Sequence, residues 1–137
     1  MASLQVHLVT PEREVWTGQA SFVVARAGDG DLGVLPGHAP LLAALQVGPV
    51  FIDAEGGRVA AAVDGGFLHV GHEDDDDQVT RVDILAEHAL LAEELGQEDP
   101  AACEQRAEEL RGEGRFAEAR VEMAKAVTRR RLAEGQR

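Results

Sequence analysis

The sequence predicts an α+β protein: a β-sandwich of short strands in the N-terminal part, followed by an antiparallel pair of helices. Three observations carry that prediction. Short apolar and β-branched runs fill the chain up to Ala86, with Gly, Pro and Asp clusters between them at roughly 8–12-residue intervals, the spacing of a sandwich or barrel. From Glu87 to Arg137 that alternation is gone, and the good helix formers Ala, Glu, Leu and Arg dominate. The 137 residues are 45% hydrophobic and only 4% aromatic, a globular composition whose core must be built from Val, Leu, Ile and Ala.

In the first strand Leu4, Val6 and Leu8 alternate with Ser3, Gln5 and His7, and Thr10-Pro11-Glu12 ends it. Further strands are expected over Ala20 to Ala27, Val47 to Asp53, Arg58 to Val63, Gly66 to Val70 and Val79 to Ala86. Glu55-Gly56-Gly57 and Asp64-Gly65-Gly66 read as turns between them, where glycine takes positive φ cheaply. Asp99-Pro100 has the form of an N-cap followed by proline in the first helical turn. Cys103, Ala107 and Leu110 then recur at helical spacing until Gly112-Glu113-Gly114. A second helix is expected to carry Phe116, Ala119, Met123, Ala126 and Val127 on one apolar stripe. So short a connection predicts an antiparallel hairpin. The division falls at residues 1–87 for the sandwich and 88–137 for the hairpin.

Charge is uneven along the chain. Four basic residues face 18 acidic ones up to Asp99, a net −14, whereas nine face seven beyond it, a net +2. The acidic part repels nucleic acid and anionic lipid at long range, and the asymmetry points to two segments with different partners. No apolar run approaches the roughly 20 residues that span a bilayer, and no secretory signal is visible. Cys103 is the single cysteine, which excludes an internal disulfide and a thiolate zinc cluster and suits a reducing compartment.

Gly28, Gly30 and Gly33 match the pattern G-x-G-x-x-G of dinucleotide-binding loops. Such a loop needs a helix directly after it to hold the pyrophosphate. Here Val34-Leu35-Pro36-Gly37-His38-Ala39-Pro40 follows, and its prolines and glycine break any helix. Asp29 and Asp31 also place negative charge where phosphate would bind. A glycine-rich turn into a strand, then a proline-fixed bend, is the better reading.

Nothing else signals catalysis. Ser3 and Ser21 lie outside any G-x-S-x-G context, and His7, His38, His69, His72 and His88 show no metal-ligand spacing. Cys103 reads as a structural thiol. The acidic run Glu73 to Asp77 suits a solvated hairpin tip better than a cation site. No catalytic residue, cofactor or metal is expected.

Four segments closely resemble the epsilon subunit of F-type ATP synthases: LQVHLVTPE at the start, GDGDLGVLPGHAPLLAALQVG from Gly28 to Gly48, VDGGFLHV from Val63 to Val70, and VDILAEHA from Val82 to Ala89. The resemblance is strong up to Ala89 and looser beyond. It implies a non-catalytic part of the central stalk, which turns between the gamma subunit and the ring of c subunits and couples proton flow to ATP synthesis. By this resemblance the loop of Asp29, Gly30 and Asp31 faces the c-ring, and the turn of Pro36, Gly37 and His38 lies close to gamma. The family's hairpin can fold against the sandwich or extend along gamma. Extended, its basic last helix meets an acidic stretch of a catalytic beta subunit and hinders ATP hydrolysis, which assigns that role to Arg120, Lys125, Arg129 and Arg130. Partners are then gamma, the c-ring and the alpha and beta subunits, with no nucleic acid and no direct insertion into the membrane. The place is the cytoplasmic face of the cell membrane, and the isolated chain is expected to be monomeric.

Two departures from the family stand out. Some bacterial members carry an ATP-binding I/L-D-x-x-R-A motif at the aligned stretch Leu95 to Pro100. Here Gly96 replaces its aspartate, Asp99 its arginine and Pro100 its alanine, which argues against that site. The run from His72 to Asp77 is an insertion in a hairpin that is usually short. Outside the resemblance, the alternatives are a stand-alone sandwich module with a helical appendage that binds an unrelated protein, and a small nucleotide-binding enzyme that uses the glycine loop.

Overall fold

Period-two burial builds the first strand, β1 (Ser3–Val9): Leu4, Val6 and Leu8 are fully buried, and the residues between them are not. The strands β2 (Glu14–Ala27), β3 (Gly30–Val34), β4 (Leu41–Ala54), β5 (Gly57–His72), β6 (Val79–Ala86) and β7 (Ala89–Leu91) follow. After them come a short 3-10 helix (Ala92–Gln97), α1 (Pro100–Gly112) and α2 (Phe116–Ala133). The structure, a computed structural model, describes residues 3–72, 79–97 and 99–135, the side chains of 96 and 97 excepted. The acidic run Glu73–Asp77, together with Gln78 and Glu98, lies outside the described residues.

The strands pair in the order β1-β6-β5-β4-β2-β3, and β2 also returns to pair with β1. The ring of strands β1-β6-β5-β4-β2 therefore closes on itself, and among the described residues the short strands β3 and β7 are paired on one side only. Strand β1 lies parallel to β6 and antiparallel to β2. Between the two layers of this closed sandwich sits a core of Val, Leu, Ile and Ala, with Leu4, Leu8, Ile52, Leu68 and Ile84 among its largest fully buried members.

The expected architecture is present, but the strands are longer than their local patterns suggest. Two runs read as separate, Arg58 to Val63 and Gly66 to Val70, are one strand of 16 residues. Gly65 and Gly66 have φ of +94° and +140°, yet β4 follows β5 on both sides of them, with Val47 opposite Asp64 and Leu45 opposite Gly66. The glycines bend the strand rather than turn it. Gly66 tolerates no side chain, because a Cβ there would lie 2.1 Å from the Leu85 carbonyl oxygen. His72, expected in a loop, is the last residue of β5.

Strand β7 has no counterpart in the sequence reading; it pairs with β5 through Ala61–Leu91, Ala62–Leu90 and Val63–Ala89, so the sheet continues to Leu91. Arg13 fastens this segment to the β1–β2 connection. Its Nη2 donates to Glu94 Oε1 at 2.9 Å and to the Ala89 carbonyl at 3.2 Å. Glu94 also accepts the Leu91 N–H at 2.9 Å, and the Arg13 bond and then this one hold its carboxyl below the usual range.

The helical half follows its sequence signals closely. Asp99 accepts from the Ala101 N–H at 2.9 Å as N-cap, Pro100 occupies the first turn, and α1 ends at Gly112. Gly114, at φ +79°, reverses the chain into α2. The second helix lies against β4, β5 and the 3-10 helix, while α1 packs on α2. A second apolar cluster joins the layers: Phe51, Ala60 and Ala62 of the sheet, Leu90, Leu95, and Leu132 of α2.

Candidate functional site

The glycine loop is a β-hairpin. Ala27 pairs with Gly30, so Gly28 and Asp29 form a two-residue turn between β2 and β3. Asp29, Gly30 and Asp31 are exposed at this tip, and Arg26 Nε donates to Asp31 Oδ1 at 3.2 Å. Gly30 and Gly33 lie within β3, in place of the helix N-terminus that a dinucleotide loop turns toward a pyrophosphate.

Pro36 and Gly37 form the bend that leads into β4. The His38 N–H donates to the Leu35 carbonyl at 3.1 Å across them, and Gly37 has φ of +86°, the type II arrangement. Two side chains from the sheet hold the bend. The Gly37 N–H donates to Thr80 Oγ1 at 2.8 Å, and His72 Nε2 lies 3.1 Å from the His38 carbonyl oxygen. His38 Nδ1 is 2.7 Å from the Ala39 carbonyl oxygen. Backbone and imidazole bonds thus fix the turn's shape, as a contact surface requires.

Beyond the turn, the outer face of the sheet is apolar where water would favour polar groups. Ala44, Phe67, Leu85 and Val9 are neighbours across β4, β5, β6 and β1. Leu42, His69, Asp83 and His7 make the adjoining row. Leu42 is 67% exposed, and Phe67 and Leu85 are 52% exposed each. Phe67 and Leu85 also line an open groove with Val9 and Pro11. Asp83 beside them accepts both bonds of Arg81 Nε, at 3.0 and 3.1 Å. Large exposed apolar side chains grouped in this way mark a protein contact. Alternation alone places these residues on the outer face; their exposure together depends on four strands lying side by side, which no single strand reveals.

The basic residues of α2 do not form one free face. Arg120 is exposed. Lys125 Nζ donates to Glu122 Oε1 at 3.1 Å, and Arg106 of α1 reaches the other Glu122 oxygen at 3.1 Å. Burial pushes the Glu122 carboxyl up, but the bonds from Lys125 and Arg106 outweigh it and hold the group below its ordinary range. Arg130 pairs with Glu104 of α1 at 2.7 Å. Arg129 is wholly enclosed. Its Nη1 and Nη2 donate to Asp64 Oδ1 and Oδ2 at 3.0 and 2.8 Å, a bidentate pair with side chains 1% and 5% exposed.

The expected apolar stripe of α2 is correspondingly displaced. Ala119 and Ala126 are buried and Met123 is half-buried, but Phe116 and Val127 are 59% and 58% exposed. Thr128, Arg129 and Leu132 are buried instead. The helix has two neighbours, α1 and the sheet, so its buried arc is wider than its apolar stripe and turned away from it. Among the described residues, no group of three His, Cys, Asp or Glu side chains converges on a metal position. Among these residues, too, no helix is long and apolar enough to cross a membrane.

An apolar sheet face, a charged hairpin tip and a pinned turn are the equipment of an assembly subunit, one that works by contact with other chains. The sequence profile described as "ATP synthase, Delta/Epsilon chain, beta-sandwich domain" matches residues 3–92. An ATP synthase epsilon chain of Thermobifida fusca is 44% identical over 137 residues, covering 97% of this chain and 93% of its own. Another, from Frankia casuarinae, is 52% identical over 89 residues, 64% of this chain and 96% of its own. A chain in the cryo-EM structure of the Euglena gracilis mitochondrial ATP synthase (OSCP/F1/c-ring) has the same fold, with a TM-score of 0.72 at 24% identity, over 93% of this chain and 79% of that one. The chain belongs to the ATP synthase delta/epsilon family.

Proposed function

We propose that the chain is the epsilon subunit of the central stalk of a proton-driven F-type ATP synthase. It has no catalytic part of its own; it joins the rotor and passes rotation between the c-ring and the catalytic subunits. The observation that carries the attachment is the apolar row of Phe67 and Leu85 with Leu42 beside it, on the outer face of a β5–β6 ladder whose far end holds the turn through Thr80 and His72. Gamma covers this face, with Pro36, Gly37 and His38 at its margin. The hairpin tip of Asp29, Gly30 and Asp31 meets the c-ring. Residues 88–137 form the regulatory unit, whose basic helix, with Arg120, Lys125, Arg129 and Arg130, restrains ATP hydrolysis when it leaves the sandwich. The subunit works at the cytoplasmic face of the cell membrane, without entering the bilayer.

The test is binding of the full chain to purified gamma. Phe67→Glu with Leu85→Glu is expected to weaken it about 100-fold, since truncating or charging a central anchor typically costs about 2 kcal/mol or more. Glu55→Gln, at an exposed tip remote in the ladder from that row, serves as the control. Unchanged affinity for the double variant places gamma elsewhere.

A further inference from the structure

A buried, bidentate side-chain pair links the two halves of the molecule. Arg129 has the largest fully buried side chain among the described residues, and both of its terminal nitrogens are bonded to the two oxygens of Asp64. Asp64 belongs to β5 of the sandwich and Arg129 to α2 of the hairpin. Each side is held from behind. The Asp64 N–H donates to the His88 carbonyl at 2.9 Å, and Arg129 Nη1 also reaches the Lys125 carbonyl at 3.3 Å within its own helix. The glycines that follow Asp64 bend β5 there, which fixes where its carboxylate emerges.

We propose that the Asp64–Arg129 pair is a latch that selects the folded-down position of the hairpin. The reasoning is energetic. An intact buried ion pair contributes little net stability, because desolvation offsets its attraction, but removing one partner leaves an uncompensated charge in a dry place. Docking the hairpin in any other register would bury Arg129 or Asp64 alone, so the pair rejects near-miss positions. The surrounding apolar contact is small, six buried side chains in all: Phe51, Ala60, Ala62, Leu90, Leu95 and Leu132. A charge left alone is therefore relieved by undocking, where water reaches it, rather than by repacking. A corollary rests on the epsilon-subunit reading: enclosed in its pair with Asp64, Arg129 is out of reach of a neighbouring subunit's carboxylate. Its choice of carboxylate distinguishes the folded from the extended state.

The latch is testable on the full chain alone. Spin labels at Glu55 and Glu134, both exposed, in a Cys103→Ser background report the position of α2 against the sheet. The parent chain should give one narrow distance. Asp64→Asn and, independently, Arg129→Gln should shift the docked-to-released ratio by about 100-fold toward release, giving a broad, longer distribution. The matched apolar pair Asp64→Leu with Arg129→Met should bring the narrow distance back. Trp16 fluorescence, read in every variant, verifies that the sandwich remains folded. A narrow parental distance in both single variants, with the sandwich intact, overturns the latch. Hydrolysis by the assembled enzyme separates this from the rotor reading. If the distances broaden while hydrolysis is unchanged, the latch holds and the inhibitory role of the hairpin falls.

Discussion

Asp64 and Gly66 show how much one position can depend on its neighbours' backbone. The triplet Asp64-Gly65-Gly66 has the composition of a turn, and by local chemistry that is the natural reading. The long ladder with β4 overrides it, and the glycines serve to bend a continuous strand against β6. Gly66→Ala is therefore expected to be among the most damaging small substitutions available. It sets a Cβ against a backbone carbonyl, which cannot rotate away, at a φ of +140° that an L side chain rarely adopts. A loss of about 3 kcal/mol or more is expected, read as a lower urea midpoint at unchanged slope. Gly56→Ala, with open space around it, should cost far less. Equal midpoints for the two would mean that the close approach of β5 to β6 does not constrain the fold.

At the scale of elements, sequence legibility follows the range of the interactions involved. The α1 cap, Asp99-Pro100, and the break at Gly112 to Gly114 are local signals, and the structure uses both as read. Period-two alternation in β1 is equally local and equally clear. Strand β7 escaped because three residues, Ala89 to Leu91, carry no period and look like helix formers; only an open edge of β5 makes them a strand. The apolar stripe of α2 misled for a related reason: periodicity identifies a face but not how many neighbours a helix has. The Asp64–Arg129 pair spans 65 positions, and nothing near either residue announces the other.

The α1–α2 contact makes a prediction of its own. Glu122 holds Arg106 and Lys125 together, and its carboxyl lies below the ordinary value in the folded chain. A carboxylate so depressed stabilises the hairpin fully above the unfolded value of about 4.3, and that contribution disappears as acid protonates the folded group. Thermal melts followed by helical circular dichroism should show the parent losing more stability than Glu122→Gln between roughly pH 5 and pH 3. The difference should be about 1 kcal/mol, since the pair is partly solvated. Parallel pH curves for the two chains would rule out the bridge.

For the whole molecule, the described residues form a closed β-sandwich with an apolar outer face, and its hairpin is held by a small apolar patch, the Arg131 guanidinium over the Phe51 ring and the buried Asp64–Arg129 pair. Closure of the ladder pairs its long strands on both sides over much of their length and leaves short strands such as β3 and β7 at an edge, so association falls mainly to the side chains on the outer faces. The family motifs in the first 89 residues located the pinned turn and the charged tip, because those features are short and carry their own chemistry. The row of Phe67 and Leu85 was not visible beforehand, since it exists only when β4, β5, β6 and β1 are laid side by side.

The most direct measurement is co-purification of the affinity-tagged full chain from detergent-solubilised membranes of the cells that make it. The account predicts that gamma, alpha, beta and the c-ring elute with it in fixed proportion, and that Phe67→Glu with Leu85→Glu abolishes their recovery. A tagged chain that elutes alone, or with an unrelated protein in constant ratio, would contradict it.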